Sequence, residues 1–442
     1  MKYKTIKINL TPNKYLSQES KYLRAKLVSD ELVNSDINLE VIHDIENKND
    51  SLALEVYFNK ISIGFIQKFN SEFDIDDFCF NTEGKKRKLL LKWENGEFLL
   101  SREKSIHITD ENWMEKLWQW ADDCNFSDEV LPREENELLQ LKDLNLTSEF
   151  FHAIEKIPPE IGNLVNLLSI TIKNGKYSEL PSEIGNLVNL TSLSISSVRN
   201  LSKLPPEIGL LSNLTELTIT GNSRLSKLPS EIFNLTNLTD LDLTENSLEE
   251  IPAGIDNLIN LRKLNISMNY IEELSPEIGK LKKLTYLSAY DNRFSKIPAE
   301  IGNLVNLSEL YIFRRYPHDY DMYASVLLKT IPQELGNLKN LKKLSLRGLS
   351  LTEFPYWITK LHNLKNLWLS QNNIPEIPKE IAKLENLTEL DLHSNDFSEL
   401  PLELTELSNL IGLDISHCHK LKNVPHELLN ANGLTIYGLD KI

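Results

Sequence analysis

Few residues in this sequence stand at spacings that could do chemistry. His417-Cys418-His419 sets a thiol between two imidazoles, the donor types of a transition-metal site. Cys418, however, occupies a position that asparagine fills in neighbouring segments, so a substitution within a repeat accounts for it and no metal is expected. The three cysteines, Cys79, Cys124 and Cys418, make no CxxC pair and fit a reducing compartment. Phosphate-cradling glycine loops, the HExxH zinc helix and the GxSxG nucleophile turn do not occur, which argues against an enzyme and implies no cofactor. What stands out instead is aromatic. Tyr286, Tyr290, Tyr311, Phe313 and Trp368 recur at related positions, with Arg347 among them and Arg315 close by. Aromatic rings and arginine gathered on one surface are the composition of protein-interface hot spots.

The elements that would hold these rings repeat. In Leu228 to Asn246, LPSEIFNLTNLTDLDLTEN, a Leu-Pro anchor leads through Ile232, Leu235 and Leu238 to Leu241-Asp242-Leu243. Asn246 closes the unit. The anchor returns from Ile157-Pro158 to Val424-Pro425, mostly at steps of 23 or 24 residues. Strict alternation puts Leu241 and Leu243 of a short strand inside, so Asp240, Asp242 and Thr244 face outward. One unit cannot bury its own apolar face. Stacked units can, and they leave a concave surface of parallel strands.

A period of this length carrying LxxLxLxxN resembles leucine-rich repeat proteins of the LPxEIGNLxNL type, bacterial and plant, and the repeats of Ras-associated scaffold proteins. The resemblance covers residues ~131–442 and implies an α/β repeat, a leucine-rich repeat solenoid of about 13 units. Its ligand would lie on outward strand positions, since the leucines serve packing. Those positions are small and hydroxylic at Ser192, Ser194 and Ser196, and aromatic in the middle. Later units present Glu389, Asp391 and His393, then Gly412, Asp414 and Ser416. At the aromatic units the step from Ile297 to Ile331 lengthens to 34 residues. The insertion near 314–323 starts right after Phe313 and puts Arg315 where asparagine is expected. Long loops inside compact repeats are usually functional, and this one is expected to fold over the rings.

Residues 1–108 lack the period and read as a small β-rich α+β domain, with a helix around Gln18–Leu32 and a hairpin at Asn95-Gly96. Within it, Glu46 to Ile66 resembles the HIRAN family through Asn47, Asp50, Ala53, Leu54, Val56, Ile63, Gly64 and Phe65. That resemblance would make Asp50 a contact to the 3′ end of single-stranded DNA. The basic run Lys85-Lys86-Arg87-Lys88 could meet its phosphates; as plain structure, Asn47 and Asp50 build a turn and the basic run is a solvated loop. A formal charge of −16, from 48 Lys+Arg against 64 Asp+Glu, argues against general phosphate binding. Residues 109–130 form an amphipathic cap helix and linker, with Thr109 or Asp110 as its cap and Trp113, Leu117, Trp120 and Ala121 on one face.

The reading is therefore a cytoplasmic, non-enzymatic interaction scaffold. A protein partner docks on the concave face and no membrane partner is involved. The alternative is a nucleic-acid factor led by the HIRAN-like domain, with the repeats as recruiter. No run has the length or apolarity of a membrane span or a secretory h-region. Asn-Leu-Thr at Asn189, Asn213, Asn237 and Asn386 matches glycosylation acceptors, but the repeat explains each of them.

Overall fold

The computed structural model describes residues 112–147, 154–314, 328 and 330–439, together with seven short strands between residues 6 and 102. The chain divides into two compact units, Met1–Trp113 and Met114–Ile442.

In the first unit, β1 (Ile6–Ile8), β2 (Tyr22–Ala25), β3 (Leu39–His43), β4 (Leu54–Phe58), β5 (Phe73–Asp74), β6 (Leu89–Glu94) and β7 (Glu97–Arg102) form two antiparallel sheets, β1-β4-β3 and β2-β7-β6-β5. The helix expected around Gln18–Leu32 is corrected over Tyr22–Ala25, which is a strand paired with Phe98–Ser101. Pairing to a distant segment supplies backbone hydrogen bonds that the mixed apolar spacing could not foretell. The strands on either side of Asn95-Gly96 pair with Glu94 opposite Glu97.

The second unit begins within α1 (Trp113–Asp123), of which Leu117 and Ala121 are fully buried. Trp118 Nε1 donates to Pro132 O at 2.9 Å and Trp120 Nε1 to Lys156 O at 2.7 Å. Their indoles thus lie over the first repeats with the polar tips satisfied. The cap residues Thr109 and Asp110 lie outside the described residues. A short α2 (Glu135–Leu139) leads into the first strand of the solenoid.

Thirteen parallel strands then line up in chain order, one per unit. The first four are β8 (Asp143–Thr147), β9 (Ser169–Lys173), β10 (Ser192–Ser196) and β11 (Glu216–Thr220). Next come β12 (Asp240–Asp242), β13 (Lys263–Asn265), β14 (Tyr286–Ser288), β15 (Glu309–Tyr311) and β16 (Lys343–Ser345). The last are β17 (Asn366–Trp368), β18 (Glu389–Asp391), β19 (Gly412–Asp414) and β20 (Thr435–Tyr437). The register keeps leucine opposite leucine, Leu217 beside Leu241 and Leu264 beside Leu287. All four lie in the core. Most return segments pass through a single 3-10 turn begun by the anchor proline. Pro229 at φ −67° precedes Ser230–Asn234, where its missing N–H costs no hydrogen bond.

Two rows of asparagine stitch the units together. In the buried row, Asn246 Nδ2 donates to Ile219 O at 2.7 Å and Leu243 O at 2.8 Å, while its Oδ1 accepts from Asn222 N at 3.0 Å. Cys418 takes the same place, its thiol donating to Leu392 O at 3.3 Å. The row is interrupted beside the insertion, where Leu349 stands at 7% exposure and its N–H donates to Asn372 Oδ1 of the next unit. Arg315 lies outside the described residues. The second, outer row went unread in the sequence. Asn189, Asn213, Asn237 and Asn386 each donate to a carbonyl of the preceding unit at 2.8–2.9 Å. The glycosylation-like triplets are thus a packing device.

Candidate partner-binding face

The outward residues of the middle strands are ordered by register. Along the central row, Ser288, Tyr311, Ser345 and Trp368 stand opposite one another on four successive strands. Serine alternates with a large ring, and the serines lie low, Ser288 at 1% and Ser345 at 4% exposure. Two strand steps would separate Tyr311 from Trp368 by roughly 9–10 Å, yet their ring centroids stand 6.2 Å apart, near parallel at 28°. Tyr286 joins from the other side, 5.7 Å from Tyr311. In the row above, Tyr290 and Phe313 stack at 4.5 Å and 10°. The five rings therefore form two contiguous stacks, each ring partly accessible. They are neither isolated on the surface nor buried in the core.

Charged and amide groups fix the borders. Tyr311 donates its phenol proton to Glu309 Oε2 at 2.8 Å, and Lys343 meets Glu309 at 3.2 Å. Burial first, then the bond and charge of Glu309, push the Tyr311 phenol well above its ordinary range. Burial also raises Tyr286. Both phenols stay neutral donors at physiological pH. Arg347 Nε donates to Gln371 Oε1 at 3.1 Å, which sets the guanidinium at the edge of the stacks. Such a surface offers flat apolar faces, fixed phenols and one oriented cation, the chemistry that grips an extended peptide or a protein loop.

The insertion does not disturb this register. Glu309 still pairs with Lys343, and Arg314 N donates to Arg347 O at 3.0 Å. Gly348 is obligatory there, since at φ +67° a side chain is disfavoured and a Cβ would stand 2.6 Å from Arg314 O. The remainder of the insertion, and with it the expected closure over the rings, lies outside the described residues. So do Asp50, Lys85, Lys86 and Arg87 of the nucleic-acid reading, and Asn47, Ala53, Ile63, Gly64 and Phe65 of the motif. Leu54 and Val56 lie in β4.

A second polar cluster, unread as a unit in the sequence, follows directly. Asp391, His393 and Asp414 bring a donor atom each within 4.8 Å of one another. The signal was present as outward positions of successive units, but only register brings them together. His417 and His419 stand with ring centroids 6.0 Å apart, while the thiol between them is used in the asparagine row.

Comparison with known proteins agrees with the repeat architecture. A leucine-rich repeat region model matches residues 238–353, and a leucine rich repeat model matches residues 339–397. The fold is a leucine-rich repeat solenoid. The plant peptide hormone receptor RGFR1, solved in complex with RGF2, is 27% identical at TM-score 0.50, covering 69% of this chain and 56% of its own. A TDR receptor is 28% identical at TM-score 0.55, covering 68% and 56%. The functional domain of InlJ from Listeria monocytogenes has TM-score 0.55 at 23% identity, covering 72% and 66%, a likeness of fold. This chain thus aligns with little more than half the length of the two receptors. No curated protein sequence matches it. Among the described residues, no helix is long and apolar enough to cross a membrane.

Proposed function

We propose that the solenoid is a non-catalytic recognition module that docks a protein partner on the ring stacks of β14 to β17. The observation that carries this reading is the pair of stacks, Tyr286–Tyr311–Trp368 and Tyr290–Phe313, held partly open on one concave face with Arg347 at the border. Large, rigid rings bury much area at little entropic cost, so a few of them dominate an interface. Repeat proteins similar to this chain include a plant peptide hormone receptor solved in complex with RGF2, which supports a peptide or protein as the ligand class. A single-stranded DNA end as ligand draws on residues outside those described, and no match supports it. A cytoplasmic setting remains the proposal made from the cysteines.

The test is selection of displayed peptides on the full chain, followed by binding to a Tyr311→Ala/Phe313→Ala/Trp368→Ala variant whose fold is checked by circular dichroism. Selected peptides should lose at least a hundredfold in affinity. Peptides that bind the folded variant as well as the parent would move the site elsewhere.

A further inference from the structure

The rim where the strands begin carries a chemistry different from that of the rings. One residue before β13, β14, β15 and β16 stand Arg262, Thr285, Ser308 and Lys342. Backbone bonds line them up: Thr285 N donates to Arg262 O at 2.8 Å, Ser308 N to Thr285 O at 2.8 Å and Lys342 N to Ser308 O at 2.7 Å. Two short side chains therefore sit between two long cations. Between the cations lies an open hollow of about 570 Å³, its wall completed by Lys283, Asn306 and Asn340. Asn306 Nδ2 donates to Lys282 O and Asn340 Nδ2 to Val305 O, each at 2.8 Å, which fixes that wall.

Ion pairing on either side leaves the charges of this hollow uncompensated. Arg262-Lys263 and Lys342-Lys343 are cationic doublets. The second member of each is neutralised across the strands, Lys263 by Asp240 at 2.9 Å and Lys343 by Glu309 at 3.2 Å. The first member is not. Among the described residues, Arg262 and Lys342 form no ion pair, and Lys283 donates to the neutral amide oxygen of Asn260 at 2.7 Å. No aspartate or glutamate stands in the wall. In a chain where acidic residues outnumber basic ones by 64 to 48, that is a local reversal of sign, and it attracts an anion. The two hydroxyls differ as well. Thr285 Oγ1 donates to Arg262 O at 3.1 Å, while the Ser308 hydroxyl makes no hydrogen bond among the described residues and keeps its proton for a ligand.

We propose that this hollow receives a phosphate monoester carried by the protein partner, a phosphoserine or phosphothreonine on the segment that docks at the rings. The inference rests on docking at the ring stacks, because Thr285 directly precedes Tyr286 and the hollow opens where that stack ends. Charge and donor count select the phosphate over a carboxylate. A phosphorylated side chain brings a charge of about −1.5 to −2 and three acceptor oxygens, against three cations and a free hydroxyl. A single carboxylate would occupy one guanidinium fork and leave both ammonium groups without a partner. The cations divide the work by their chemistry. Arg262 offers a planar fork for two oxygens, and Lys283 and Lys342 act as point charges on the remainder. Arg262 and Lys342 approach from opposite ends of three strand steps, ~14–15 Å apart along the sheet, so the anion is held between them.

The experiment measures binding of three degenerate peptide pools to the full chain at physiological salt, with phosphoserine, serine or glutamate fixed at the centre. The phosphoserine pool should bind at least tenfold more tightly than the serine pool, and the glutamate pool should gain less than threefold. Arg262→Gln/Lys342→Gln should bring the phosphoserine and serine pools within twofold of each other at an unchanged thermal midpoint. Lys296→Gln/Lys420→Gln, which removes the same charge elsewhere on the surface, should keep the full preference. The Tyr311→Ala/Phe313→Ala/Trp368→Ala variant separates the two readings. Weaker binding of both pools at an unchanged ratio supports docking on the rings, whereas undiminished binding sinks that docking and leaves the hollow in place. Equal binding of the phosphoserine and serine pools by the parent would overturn the assignment, as would a preference that survives Arg262→Gln/Lys342→Gln. Competition by inorganic phosphate as strong as by the phosphoserine pool would mean an adventitious ion only. Stronger competition by a single-stranded oligonucleotide or by phosphatidylserine vesicles would replace the protein partner with nucleic acid or membrane, and so overturn it too.

Discussion

At the scale of single residues, two asparagine rows do the same job in different surroundings, and the difference can be measured. Asn246 is buried, and its loss strands Ile219 O and Asn222 N away from water. Two orphaned backbone groups at ~1–3 kcal/mol each put Asn246→Ala about 2–6 kcal/mol below the parent in urea unfolding. Asn237, on the exposed side, donates to Ser212 O, which water can take over. Asn237→Ala should cost about 1 kcal/mol or less by the same assay. Equal losses would mean that burial does not govern the rows. The buried thiols are a second residue-scale case. Burial first raises Cys124 and Cys418 to about 11, so each is almost wholly protonated at pH 8. Peptide mapping after iodoacetamide treatment at pH 8 should find both unmodified in the folded protein and both modified in denaturant.

Where return segments stack, one exchange of residues reveals how tightly they fit. In most units a glycine lets the next turn approach. A Cβ on Gly209 would stand 2.2 Å from Glu231 O, and one on Gly185 would stand 2.6 Å from Glu207 O. In the unit of Ser230–Asn234, Phe233 takes that glycine position and is 2% exposed. The next unit answers with Gly254 where most others carry glutamate. It adopts φ +100°, and its 3-10 turn shrinks to Ile255–Asn257. The two positions form a coupled pair. Gly254→Glu alone should destabilise by about 1–3 kcal/mol, through the positive φ and crowding of the ring. With Phe233→Gly added, most of that loss should be recovered, a non-additivity read from a double-mutant cycle. Additive losses would show that the pair is a coincidence.

Across the whole molecule, what matters is that the strand register passes the insertion unbroken, from Glu309 to Lys343 and on to Asn366. The ring stacks therefore rest on the sheet and do not depend on the inserted chain for their alignment. Removing residues 316–326 restores a 23-residue step and should leave the thermal midpoint within about 2 °C of the parent, a shift equivalent to roughly 2 kcal/mol in a protein of this size. A larger drop would assign the insertion a structural role. The ring variants are not expected to be neutral either. Each ring is half-buried against another, so single truncations should cost ~0.5–1.5 kcal/mol. That is small beside the loss of partner affinity if the stacks are the docking surface.

By itself the sequence determined the repeat. Alternation of Leu241 and Leu243 around Asp242, the anchor prolines and the period of 23 or 24 residues dictate stacked coils, because no unit can bury its leucines alone. It also placed the aromatic residues outward, for the same periodic reason. Tertiary structure decided what the period cannot express, which is distance between units. Tyr311 reaches Trp368 only because Ser345 lies low between them, and Asp391 gains Asp414 as a neighbour only through register. The pairing of Tyr22–Ala25 with a strand more than seventy residues away overrode its local spacing in the same manner. Local pattern fixes which way a side chain faces; which side chains then meet depends on hydrogen bonding between segments that are remote in the chain.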